Sequence, residues 1–149
     1  MERFVFESPF GPICVHVQSG QVLQIDLGKK CEVSTQPEPE IVRQLEEYFS
    51  RKRTQLDFPV RVVGTEFQLR VWHALRDIPY GSTLSYGELA KRLHTSARAV
   101  GQALKKNPLA IYFPCHRVVA KGSLGGFSSG LEWKQRLLAL ERGERCAQS

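Results

Sequence analysis

No apolar run in this 149-residue chain approaches the ~20 residues that a membrane-spanning helix needs. Met1-Glu2-Arg3 opens without the hydrophobic core of a secretion signal. A cytoplasmic protein, nuclear in a eukaryote, with no membrane partner is the expectation. Cysteine is scarce: Cys14, Cys31, Cys115 and Cys146 form no C-x-x-C pair, and no histidine stands at finger-like spacing from Cys14 or Cys31. No structural zinc site and no other metal is expected. An intracellular chain of this size has little need of disulfides, and Cys146 lies near the C-terminal end with no evident role. Acidic side chains are missing altogether between Leu89 and Leu131, a stretch that carries Lys91, Arg92, Arg98, Lys105, Lys106, Arg117 and Lys121. Such one-signed charge in an otherwise mixed chain, at a net charge of +6, fits a polyanionic partner.

Hydrophobic residues at 42% and charged ones at 24% are those of a globular protein with enough core for one domain or two small lobes. The first part alternates like strands. Arg3–Glu7, Ile13–Val17 and Val22–Leu27 are separated by the turns Ser8-Pro9-Phe10-Gly11 and Gln18-Ser19-Gly20-Gln21, which predicts an antiparallel meander. Ile41, Leu45, Tyr48 and Phe49 recur at helical spacing, and Leu56–Val63, interrupted by Pro59, reads as an edge strand or linker. Residues 1–60 are thus expected to form a small α+β scaffold lobe, and residues 61–149 a mostly helical domain.

In the second part Thr65-Glu66-Phe67-Gln68 and Ser85-Tyr86-Gly87-Glu88 both have the form of a capping box. Ser96 can cap a further helix from Ala97 to about Asn107, stopped by Pro108. Two short helices joined at His94-Thr95 make a helix-turn-helix over about 85–107. Its second helix is unusual in its small residues Ser96, Ala97, Ala99, Gly101 and Ala103, with Arg98 and Gln102 as the longer side chains near its start. Close packing against another helix would explain them, and so would close approach to a nucleic-acid backbone. The lack of an array of base-reading side chains favours binding with little sequence preference.

The densest chemistry is Pro114-Cys115-His116-Arg117-Val118, set between the apolar stretches Leu109–Phe113 and Val118–Ala120. A thiolate is the nucleophile, and a thiol of pKa about 8.5 reacts at neutral pH only beside a base or positive charge. A buried structural cysteine is the plain alternative. Gly122–Gly130 is glycine- and serine-rich and precedes a helix from Leu131 to about Arg142 with Trp133, Leu137, Leu138 and Leu140 as apolar positions. That loop, with Phe127 as a stacking surface, reads either as a linker or as one wall of a pocket.

The Pro114–Val118 motif follows Ser85-Tyr86, Ser96-Ala97-Arg98-Ala99-Val100-Gly101 and Asn107-Pro108 in order. With Gly64-Thr65-x-Phe67-Gln68, Val71-Trp72, Ile78-Pro79-x-Gly81 and Gly125-Gly126-Phe127-Ser128, the set resembles the O6-alkylguanine-DNA alkyltransferase family over about residues 64–143. The resemblance implies direct damage reversal in duplex DNA. A guanine alkylated at O6, and by extension an O4-methylthymine, is flipped from the stack, and its alkyl group passes irreversibly to Cys115 in one turnover. His116 is then the base, through a water, and Glu141 orients its imidazole. Asn107 is the hinge between recognition helix and active-site segment. Arg98 replaces the extruded base, Tyr86 crowds the 3′ phosphate, and the small-residue helix enters the minor groove. Pro114, Val118, Phe127, Ser128 and Lys134 line the base pocket, Phe127 standing where some members carry a tyrosine. No cofactor is implied, and the chain is expected to act as a monomer.

Three other readings fit fewer residues. A non-catalytic lesion binder of the same superfamily would replace Cys115. A helix-turn-helix regulator would want base-reading side chains, and a cysteine hydrolase would want a remote histidine and an oxyanion hole.

Overall fold

A computed structural model describes residues 1–143 and divides them into two compact units. The first comprises Met1–Val62 with Pro108–Tyr112, and the second comprises Val63–Asn107 with the chain from Phe113 onward. The return of Pro108–Tyr112 is a departure from the contiguous split at residue 60.

In the first unit, β1 (Glu2–Ser8), β2 (Gly11–Gln18) and β3 (Gln21–Leu27) form an antiparallel meander. Period-two alternation puts Phe4, Phe6, Ile13, Val15, Val17, Ile25 and Leu27 in the core, and a register shift between β2 and β3 at His16/Val17 brings Val22 there as well. The helix α1 (Pro39–Phe49) buries Ile41, Leu45, Tyr48 and Phe49, and the Phe49 ring stacks on Phe6 at 6.1 Å. Pro39 opens that helix, where its missing N–H costs no hydrogen bond. The segment 56–63 is less regular than an edge strand. It bridges β3 only at Val60, with Val22 N–H donating to the Pro59 carbonyl at 2.9 Å. Further along the same strand, Ile25 N–H donates to the Pro108 carbonyl at 2.8 Å. The returning segment therefore pairs with β3 beyond the bridge at Val60. Cys14 and Cys31 are joined by a disulfide. This corrects the expectation that the chain has little need of disulfides; Cys146 lies outside the described residues.

The second unit begins with α2 (Glu66–Leu75). Thr65 Oγ1 accepts from Gln68 N–H, and the Gln68 side chain accepts from Thr65 N–H, both at 3.0 Å. A two-residue strand β4 (Leu84–Ser85) leads into α3 (Tyr86–Arg92), whose N-terminus carries the second complete capping box, Ser85 with Glu88. His94, at φ 56°, turns the chain into α4 (Ala97–Lys105), capped by Ser96 Oγ. This helix stops two residues before the expected Asn107. Its inner face is Val100, Ala103 and Leu104, and Trp72 of α2 donates its indole N–H to the Ala103 carbonyl at 2.8 Å.

A single 3-10 turn, Cys115–Arg117, is followed by β5 (Val118–Val119). β5 pairs in parallel with β4, a strand pair the sequence did not announce. The ladder sets Leu84 beside Val118 and Ser85 beside Val119, which fixes the mouth of α3 against the cysteine segment. α5 (Leu131–Arg142) closes the unit and ends at Gly143 in the left-handed conformation.

Replacing Thr65 by Ala removes one half of a complete capping box at an exposed site. Urea unfolding followed by circular dichroism should show a loss of about 1 kcal/mol with an unchanged denaturant slope.

Candidate active site and nucleic-acid face

The Glu141 carboxylate is buried in the second unit. It accepts from His116 Nε2 at 2.6 Å, from Arg117 Nε at 2.8 Å and Nη2 at 3.0 Å, and from Gly81 N–H at 3.3 Å. His116, Arg117 and Glu141 are all buried. Burial opposes the charge on Glu141, but His116 and Arg117 outweigh it and hold the carboxyl well below the usual carboxylate range. A carboxylate only accepts, so Nε2 carries a proton toward it, and in a neutral ring Nδ1 holds the lone pair. Nδ1 is buried with no partner among the described residues. A histidine so oriented by a carboxylate can serve as a base.

Arg117 also donates from Nη1 to the Ile78 carbonyl at 2.8 Å, with its guanidinium 5.7 Å from the Tyr80 ring centre. Its role is to neutralise Glu141 and tie α5 to the end of α2, and the sulfur is not its partner.

Cys115, next along the chain, is a free, half-buried thiol at the head of the 3-10 turn. Burial pushes the thiol up, while a hydrogen bond from the Asn107 side chain and the charge on Lys134 pull it down. The balance is a resting thiol that needs a base to react. Asn107 Nδ2 donates to the Phe113 carbonyl at 2.9 Å, so this residue reaches both ends of the segment leading to the cysteine.

Lys134, a base-pocket residue by the family resemblance, is a buried cation of this region. It is fully buried on α5, and its ammonium donates to the Val118 carbonyl at 2.7 Å and the Gly126 carbonyl at 2.9 Å. The rings of Tyr86 and Phe127 both lie 5.9 Å from Nζ. Desolvation presses its pKa from 10.5 down to about 8, and the Cys115 sulfur acts in the opposite direction. Lys134 thus remains largely charged at neutral pH and is the cation that a Cys115 thiolate feels. Val118 gives its N–H to the Cys115 carbonyl, so the pair has one backbone bond internally committed.

Beside these groups is a cleft of about 640 Å³ lined by Tyr86, Ala97, Arg98, Gly101, Lys105, Gly126, Phe127 and Ser128. Cys115, His116, Pro114 and Val118 are not among its lining residues, nor are Ser96, Ala99 and Gln102 of the expected contact set. Pro114 and Val118 are buried, whereas Ser96 and Gln102 are exposed on α4. Lys105 joins the cleft without having been singled out, although its place two turns beyond Arg98 on a one-signed helix pointed to it. A Cβ built on Gly101 meets nothing within 4 Å, so close packing inside the protein does not explain this glycine. At Gly125, with φ 74°, a Cβ would stand 2.8 Å from the Tyr86 ring and 3.1 Å from Ala120 N. Only glycine fits that bend, which lets Tyr86 O–H donate to the Gly126 carbonyl at 3.4 Å.

Residues 66–143 match the family model described as 6-O-methylguanine DNA methyltransferase, DNA binding domain. Among curated proteins, the methylated-DNA–protein-cysteine methyltransferase of Methanosarcina acetivorans is 42% identical over 149 aligned residues, covering 92% of this chain and 96% of the relative. That of Metallosphaera sedula is 40% identical over 140 residues, covering 91% and 90%. A crystal structure of Mycobacterium tuberculosis OGT in complex with DNA superposes with a TM-score of 0.87 at 37% identity, over 99% of this chain and 96% of that one. An O6-methylguanine DNA methyltransferase from Methanococcus jannaschii gives a TM-score of 0.72 at 33% identity, over 98% and 97%.

The Glu141 carboxyl has a folded pKa below its unfolded one. Its ion pairing therefore contributes in full above about pH 4.5 and is lost as pH falls further. Glu141→Gln should cost about 3–5 kcal/mol at neutral pH by leaving buried Arg117 unpaired. In urea titrations at a series of pH values, the gap between wild type and variant should narrow below pH 4.5.

Proposed function

The chain belongs to the O6-methylguanine DNA methyltransferase family, and on that premise we propose that it repairs alkylated DNA by taking the alkyl group from guanine O6 onto its own Cys115. The observation that carries this reading is the buried His116–Glu141 pair beside a half-buried free thiol, with a cleft next to it that the arginine of a basic helix lines.

The reaction is one displacement. His116 Nδ1, through a bridging water, takes the proton of the Cys115 thiol, and Lys134 lowers the energy of the thiolate so formed. The sulfur attacks the alkyl carbon, the S–C bond forms as the C–O6 bond breaks, and guanine leaves carrying the electron pair on O6, which a proton then neutralises. Ser128 lies on the exposed rim of the cleft, where its hydroxyl or N–H can approach O6. Phe127 stacks on the base but has no hydroxyl to donate. The Val118 carbonyl shares its lone pairs between Lys134 and the guanine edge. The thioether product is not activated toward water, so each molecule reacts once.

A stacked guanine cannot reach Cys115, so the nucleotide must rotate out of the duplex. Arg98 fills the gap, Tyr86 crowds the backbone, and the open small-residue face of α4 allows close approach within the minor groove with little sequence preference. One chain holds all of these groups, which suits action as a monomer, and a DNA substrate suits a cytoplasmic or nuclear location. O4-methylthymine presents the same alkyl ether to the same sulfur. A non-catalytic lesion binder has no use for the thiol and its buried base.

Incubation with a duplex carrying one O6-methylguanine, followed by peptide mass spectrometry, should place a methyl group on Cys115 at no more than one equivalent. Transfer by Cys115→Ser, or repeated turnover, overturns the proposal. Arg98→Ala should slow transfer from the duplex by about tenfold or more, since flipping costs a few kcal/mol, and slow it far less from the same lesion in a single strand. Equal slowing on both substrates would remove Arg98 from the flipping step.

A further inference from the structure

The first unit contains a second group of reactive side chains that alkyl transfer does not use. Cys14 and His16 alternate on β2 and so share one face of the sheet, and Asp26 is the cross-strand partner of Cys14 on β3. Their ligand atoms converge. His16 Nε2 lies 3.4 Å from Cys14 Sγ and 3.0 Å from Asp26 Oδ2, and all three donors fall within 4.8 Å of one another. Cys31, disulfide-bonded to Cys14, brings a second sulfur to the same point.

We propose that Cys14, His16, Asp26 and Cys31 form a redox-gated site for a thiophilic divalent cation such as zinc. It is closed as a disulfide under oxidising conditions and binds metal when reduced. A tetrahedral zinc site takes thiolate at about 2.3 Å and imidazole or carboxylate at about 2.0–2.1 Å. The edges of such a tetrahedron are about 3.6 Å for S···N and about 3.3 Å for N···O, close to the separations already present. Cα atoms 5.9 Å apart let the two sulfurs open to the S···S edge of about 3.8 Å without backbone travel.

Two further features favour the site. The loop bearing Cys31 does not depend on the disulfide for its place, because Ser34 N–H and Thr35 N–H donate to the Arg3 carbonyl at 2.9 and 3.3 Å, and Arg3 N–H donates to Ser34 Oγ at 2.9 Å. Asp26 is oriented by Gln24, whose amide donates to both carboxylate oxygens at 2.9 Å. Two thiolates, a carboxylate, a neutral imidazole and a dication sum to one negative charge. Arg3, the cross-strand neighbour of His16, has a buried Nε without a partner among the described residues and stands near enough to offset that charge in a metal-bound site.

The exchange balances. A cellular dithiol gives two electrons and two protons to the Cys14–Cys31 bond and leaves as its own disulfide. The two thiols formed then release their protons as the cation binds.

The test uses the full-length protein and cobalt(II), whose tetrahedral thiolate complexes absorb visibly. After reduction with a phosphine and anaerobic desalting, the protein should bind about one equivalent with a thiolate-to-metal band, and the air-oxidised protein none. Thiol titration in denaturant should find two more thiols per chain after reduction than before. Cys14→Ser and His16→Ala should abolish the band, and Cys115→Ser should keep it. Retained alkyl-acceptor activity and circular dichroism certify the fold of the Cys14 and His16 variants. If either fails to fold, Asp26→Asn replaces it, with a weakened or shifted band expected. No band in the reduced wild type, a band unchanged by Cys14→Ser or Asp26→Asn, equal binding by the oxidised form, or a thiol count unmoved by reduction overturns the proposal.

Discussion

One buried anion organises the second unit. Glu141 sits on α5, His116 and Arg117 on the 3-10 turn, and Gly81 in the loop after α2, and all three elements meet on its two oxygens. A lone carboxylate at that depth would be protonated, or the site would not form. Arg117 supplies the compensating positive charge, and this division of labour matters for the chemistry. Because Arg117 binds both oxygens of Glu141 as well, His116 meets the carboxylate through Nε2 alone, and Nδ1 is not engaged by it.

Lys134 is the counterpart on the other side of the sulfur, and it is satisfied differently. Among the described residues its ammonium has carbonyls and aromatic faces around it and no carboxylate partner. That leaves its charge uncompensated until Cys115 ionises, which is why desolvation pulls its pKa to about 8. The same contacts join the cysteine segment, through Val118, to the pocket loop, through Gly126. A group that stabilises the thiolate therefore also sets the position of the wall carrying Phe127, so that electrostatics and shape are coupled through one side chain.

What was legible in the sequence was local. The capping boxes at Thr65 and Ser85, the meander and the Pro114–Val118 motif each rest on residues a few positions apart, where spacing alone dictates geometry. Glu141 is 25 residues from His116, and only the family resemblance joined them. Lys134 and Glu141 had a signal of their own: positions 134, 137, 138 and 141 follow a helical i, i+3, i+4, i+7 pattern, so two ionisable groups lie on the face that Leu137 and Leu138 bury. Leu140, expected inward, is half-buried because those polar residues occupy the inner places. The disulfide was invisible because its partners come from strand register and a loop, 17 residues apart, a relation that no linear spacing rule encodes.

The helix α4 shows where local cost points beyond the molecule. Gly101 weakens a helix interior by about 1 kcal/mol relative to alanine, and nothing inside the protein needs the space it leaves open. The helix holds its place through Val100, Ala103 and Leu104 and the Trp72 indole bond, all on the opposite face. Its outer face is thus freed from any packing duty, and that face carries Arg98 and Lys105 in a segment with no acidic residue to balance them. An open, small-residue face joined to positive charge on one surface suits an external anion that approaches the backbone closely. A nucleic-acid backbone has that charge and that shape.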